Sequence, residues 1–122
     1  VREMEKKKTT LLEDLCGEEK DVYEALKETM YLDPRKIRMT IDEAERKAKE
    51  FEKERNFHKA RIYYDIAGGL AIYEGNAAKV KQFFSKSAKL NPDYPYPIIN
   101  IPEKAIAKAK EFYEKHLKET AT

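Results

Sequence analysis

The stretch Asn56–Pro92, NFHKARIYYDIAGGLAIYEGNAAKVKQFFSKSAKLNP, constrains the fold more than any other part of this chain. It holds two helix starts of one kind, Asn56-Phe57 and Gly75-Asn76-Ala77, twenty positions apart. The run between them is apolar nearly all round. Phe57, Ala60, Tyr64, Ala67 and Ala71 line one helical face, and Tyr63, Ile66, Leu70 and Tyr73 line another. A helix apolar on every side is buried on every side. The spacing therefore predicts a central helix over about Phe57 to Glu74, with helices docked on two sides. Gly68-Gly69 in its middle costs up to about 1 kcal/mol per residue relative to Ala. With Ala67 and Ala71 flanking the pair, close approach of a neighbour explains the glycines better than a kink.

The other elements follow from local signals. Residues 1–9, VREMEKKKT, offer only Met4 to bury and read as a charged, flexible arm; 10–122 reads as one helical domain. Thr10-Leu-Leu-Glu13 fits a capping box, and Gly17 is a natural stop after Leu11, Leu12 and Leu15. A second helix is predicted from about Glu18 to Leu32, with Val22, Ala25, Leu26, Thr29 and Met30 inward and Asp33-Pro34 ending it. Thr40-Ile-Asp-Glu43 is another capping box. It opens a third helix with a narrow stripe of Ile41, Ala44, Ala48 and Phe51, ending near Arg55. A fifth helix over Ala77 to Leu90 buries Val80, Phe83, Phe84, Ser87 and Ala88. Residues 93–101, DYPYPIINI, are expected to be extended and polyproline-like, packing back through Tyr and Ile. Pro102 suits the first position of a last helix that carries Ala105, Ile106, Ala109, Phe112, Tyr113, His116 and Leu117 inward. The fold class is thus all-α: five or six short antiparallel helices in a hairpin stack or a bundle.

Charge mostly excludes classes. Charged residues are 39% of the chain, and Glu and Lys are interleaved at helical spacing, which reads as solvated helix faces. Residues 1–76 carry 16 Lys+Arg against 18 Asp+Glu, and residues 77–122 carry 9 against 5, so the basic excess lies in the C-terminal helices. That excess falls short of a nucleic-acid footprint. Cys16, the single cysteine, permits no internal disulfide and no Cys-based metal cluster. The reading expects a reducing, cytoplasmic setting, no signal peptide and no membrane span. Glu/Lys enrichment with one Cys and no Trp leans towards a thermophile's composition.

Residues Tyr64 to Pro92 resemble a tetratricopeptide repeat. The match is carried by Tyr64, Ala67, Gly68, Gly75, Asn76, Val80, Phe84, Ser87 and Pro92, with Ala71 departing from the usual aromatic. Gly17, Val22, Leu26 and Pro34 look like a second such ending. The two proline endings are 58 residues apart, which is not a multiple of the family's period of about 34, so any array is degenerate. Residues 41–90 are also similar to an MIT-like antiparallel three-helix bundle. Either resemblance implies holding another protein's peptide or helix.

No motif announces an enzyme. The glycine pair lacks the spacing and the Lys-Ser/Thr of a phosphate loop. His58 and His116 have no partner at metal-ligand spacing. Cys16 beside Leu15 reads as a small buried hydrophobe. No catalytic residue, cofactor or metal is assigned. The first functional expectation is a cytoplasmic adaptor whose groove, on helices three and four, offers Arg46, Lys47, Arg55, Lys59 and Arg61 to a partner, with Tyr94 and Tyr96 as exposed anchors. The second is nucleic-acid association through Lys79, Lys81, Lys86, Lys89, Lys108, Lys110 and Lys115. Self-association through an uncovered end hairpin is a third possibility.

Overall fold

A computed structural model describes residues 12–27, 29 and 37–117, with side chains through residue 115. Among these residues the structure is all-α, with six helices and no strand. The arm 1–9, the Thr10 cap, Met30, the Asp33-Pro34 stop, and the His116 and Leu117 side chains lie outside the described residues.

Helix α1, residues 12–16, buries Leu12 and Cys16 one turn apart and stops at Gly17, whose amide donates to the Glu13 carbonyl at 3.0 Å. Helix α2, Lys20–Lys27, turns Val22, Ala25 and Leu26 inward. Helix α3, Ile41–Lys53, starts as its capping box requires: the Thr40 hydroxyl accepts from the Glu43 amide at 3.1 Å. Its inward stripe is Ile41, Ala44 and Ala48, which is why the helix lies close to its neighbour.

Helix α4, Phe57–Glu74, is the central element. Helices α3 and α5 (Ala77–Leu90) both pack along it, and α6 (Pro102–Phe112) meets it near its end. Its third face, towards α5, is built from Gly68 and Ile72. A Cβ on Gly68 would fall 2.5 Å from Cε2 of the buried Phe84, so the glycine is the seat of an aromatic ring. Gly69 is in ordinary contact range of the Thr29 carbonyl, 3.7 Å from where its Cβ would stand. Close approach accounts for Gly68. Tyr64, Phe83, Phe84, Phe112, Leu26 and Ile98 are the large, fully buried side chains. Burying each stabilises the fold by about 1.5–3 kcal/mol before entropy is counted.

The segment after α5 departs from the extended form expected of it. It makes a turn, with the Tyr94 amide donating to the Asn91 carbonyl at 3.1 Å, then a 3-10 turn over Pro97–Asn100. Pro97 suits the first position of such a turn, since its fixed φ is helical and no donor is needed there. The compact path lets Ile98 and Tyr96 reach the core, burial that extended backbone forgoes. Helix α6 then starts at Pro102 as expected, and a π turn, Tyr113–Leu117, follows it. Helices α2 and α6 are joined by ion pairs, Lys104 to Asp21 at 3.2 Å and Lys108 to Glu19 at 3.3 Å.

Candidate functional site

The corner between α3 and α4 collects most of the cationic residues expected to meet a partner. Its backbone is unusual in one respect. The Asn56 amide donates to the Phe51 carbonyl at 2.9 Å and the Arg55 amide to Glu52 at 3.0 Å, which closes α3 with Arg55 in the left-handed region at φ 59°. Glycine is the usual occupant of this position, because a Cβ there crowds the following carbonyl at a cost of about 1–2 kcal/mol. Arg55 is the only non-glycine residue with positive φ among the described residues. Its side chain is exposed. Asn56 then caps α4, its Oδ1 accepting from the Lys59 amide at 3.3 Å.

Above this turn the two helices present an aromatic shelf. Phe51 of α3 and Tyr63 of α4 are half-buried and stacked, with ring centroids 5.5 Å apart and planes 18° from parallel. Lys59 Nζ lies 5.4 Å from the Phe51 centroid and Lys47 Nζ 5.6 Å from that of Tyr63. Each such contact is worth about 0.5–1 kcal/mol at an exposed site. Neither ammonium has a carboxylate within ion-pair distance among the described residues. Phe57, at the start of α4, is 47% exposed, and Ile62, five residues on, is 36% exposed. Arg46 is exposed on α3. Beneath the shelf the Tyr64 hydroxyl donates to Glu52 Oε1 at 2.5 Å, tying the two helices together. Burial first, and then this bond to a carboxylate, raise the Tyr64 pKa, so it stays a neutral donor.

Three candidate contacts are less exposed than a partner site asks, and for Tyr94 and Tyr96 the packing-back expectation holds in place of the exposed-anchor one. Arg61 does not face outward: it is half-buried, and its Nη1 lies 3.5 Å from Asp65 Oδ2. Tyr96 is 7% exposed, and its hydroxyl donates to the same Asp65 oxygen at 3.3 Å. Tyr94 is half-buried edge-on against Tyr96, centroids 4.7 Å apart. The two tyrosines between the prolines therefore staple their segment to α4 and α5. Asp65 is raised above its ordinary pKa by burial, with the Ser87 and Tyr96 hydroxyls and Arg61 opposing, and its Oδ1 is buried without a hydrogen-bond partner. Sequence reasoning missed Asp65. The available signal was a single acid in an otherwise apolar stretch of α4.

The lysines of the second expectation divide. Lys108 is held by Glu19 and Glu111, both at 3.3 Å, with Glu111 first in keeping its pKa above the ordinary value. Lys86 lies 5.3 Å from the Tyr64 ring centroid and 4.0 Å from Glu45. Lys79 is half-buried, and Lys81, Lys89, Lys110 and Lys115 are exposed. His58 is exposed, and Cys16 is a buried thiol whose pKa burial pushes up, which is the environment of an unreactive cysteine. Among the described residues no three His, Cys, Asp or Glu side chains converge as a metal would require, and no helix is long and apolar enough to cross a membrane. No protein family, curated protein or solved structure matches the chain.

Proposed function

We propose that this chain is a non-catalytic protein-interaction module, and that the α3–α4 corner holds a peptide or helix of another protein. The observation that carries the reading is Arg55, an exposed cation kept in a left-handed conformation that glycine adopts at less cost. Strain at an exposed side chain points to use of that side chain. Its surroundings favour a protein ligand. The stacked Phe51 and Tyr63 and the exposed Phe57 and Ile62 supply apolar surface, and the ammoniums of Lys47 and Lys59, which have no carboxylate partner among the described residues, supply charge. Interfaces are anchored by aromatic and cationic groups of this kind. The ligand chemistry that fits is an acidic segment with one or two apolar anchors.

The tetratricopeptide-like reading rests on the sequence resemblance; the packing of α3 and α5 along α4, the ring seated at Gly68 and the Gly75-Asn76 turn fit it as they fit other helical hairpins.

Selection from a displayed peptide library tests the function. The wild-type chain is expected to enrich acidic peptides with apolar anchors. The double variant Arg55→Glu, Lys59→Glu is expected to lose them while losing no more stability than the Lys59–Phe51 contact supplies, about 0.5–1 kcal/mol. Equal enrichment by both proteins would remove this corner from the account.

A further inference from the structure

Helix α5 differs from every other long helix here in carrying no acidic residue. Its sequence, AAKVKQFFSKSAKL, holds four lysines and no acid. Val80, Phe83, Phe84 and Ser87 fill the inward arc, which leaves Ala78, Lys81, Gln82 and Lys89 exposed, with Lys79, Ser85 and Lys86 at the margins. Successive residues turn by about 100°, so all four lysines fall on the outer half. On α6, two of the three lysines are held by acids, Lys104 by Asp21 and Lys108 by Glu19 and Glu111. Lys81 and Lys89, by contrast, have no ion-pair partner among the described residues.

From this we infer that the outer face of α5 is a second docking surface, separate from the α3–α4 corner, and that its occupant is the phosphate backbone of a nucleic acid, held without base readout. Charge complementarity selects a polyanion. The absence of any large exposed apolar side chain on α5 selects among polyanions. A protein partner needs a desolvated anchor, and a membrane surface needs an apolar face to insert. A phosphate chain needs only cations. With no Arg on the helix and both phenylalanines buried, neither bidentate base contacts nor stacking are available, so binding is independent of sequence.

The test is fluorescence anisotropy of a labelled oligothymidylate titrated with the whole chain at several salt concentrations. Saturable binding at low salt is expected, with log K falling against log salt at a slope of about −2, as three lysine–phosphate contacts give. Lys81→Gln with Lys89→Gln is expected to flatten that slope by about 1.4. The pair Lys110→Gln, Lys115→Gln, exposed on α6 and on the π turn after it, is expected to leave it nearly intact. No saturable binding at low salt overturns the inference, as does equal loss in the two double variants. Competition by polyglutamate as strong as by unlabelled oligonucleotide of equal charge also overturns it, in favour of an acidic protein.

Discussion

Arg55-Asn56 and Gly75-Asn76 close the ends of α3 and α4 with the same backbone bonds, yet one turn carries a long cation where the other carries no side chain. In each, the asparagine amide reaches back five residues, to Phe51 at 2.9 Å or to Ala71 at 3.0 Å. The residue before it reaches back three, to Glu52 at 3.0 Å or to Ile72 at 3.1 Å. The asparagine side chain then caps the next helix, from Lys59 at 3.3 Å or Lys79 at 3.1 Å. Both turning residues are left-handed, at φ 59° and φ 76°. The difference lies in what surrounds them. Gly75 is exposed as well, but a Cβ there would meet Ile106 Cγ2 of α6 at 3.9 Å, an ordinary contact. Arg55 stands exposed beside the aromatic shelf. The Gly75 turn has the residue that left-handed backbone favours. The Arg55 turn keeps a residue that the fold alone does not favour.

The hairpins around these turns differ in the same way. The α4–α5 pair is seated ring into glycine, so Gly68→Ala should have the largest effect. Overpacking against the buried Phe84 costs about 3 kcal/mol, and the gain in helix propensity returns about 1. Denaturant unfolding should show a net loss of about 2 kcal/mol. An unchanged midpoint would mean that the two helices are not close-packed there.

Gly75→Ala comes next. The left-handed penalty of about 1–2 kcal/mol is partly offset by a less flexible unfolded chain, leaving a loss of about 1 kcal/mol in the same measurement. Tyr64→Phe removes the bond that fastens α3 to α4 and should cost about 1 kcal/mol. A double-mutant cycle with Glu52→Gln should recover most of that as coupling between the two sites, and independent effects would contradict the bond.

The smallest effect concerns pH. Asp65 has a folded pKa raised by burial, so the folded state holds its proton more tightly than the unfolded chain does. Its ionised form therefore burdens the fold above that raised pKa. The burden is relieved as pH falls through it towards the ordinary carboxylate value. Asp65→Asn should remove this part of the stability–pH profile, with wild type and variant converging as the pH drops. Parallel profiles would place Asp65 in a more solvated setting.

The turns were legible because their chemistry is local. Thr40, Asn56, Asn76 and Pro102 each announce a helix start within three residues, and the structure has all four. The apolar circumference of α4 likewise foretold its central place. The candidate site was legible only in part. Lys47 and Lys59 were legible as exposed cations, but the stacking of Phe51 on Tyr63 and the crossed contacts, Lys59 on Phe51 and Lys47 on Tyr63, depend on how α3 meets α4. The fates of Arg61, Tyr94 and Tyr96 depend on a contact between Asp65 and a residue 31 positions away. Local rules read the proline-rich segment as extended, and burial of Ile98 and Tyr96 overrode them.

Arg55→Gly tests the central comparison most directly, with stability and peptide capture measured on one preparation. Relief of the left-handed strain, less the freer unfolded chain, should raise stability by about 0.5–1 kcal/mol. Capture of the acidic peptides selected by wild type should fall at the same time. A more stable protein that still captures those peptides equally would contradict the account, and would reduce Arg55 to an accident of the turn.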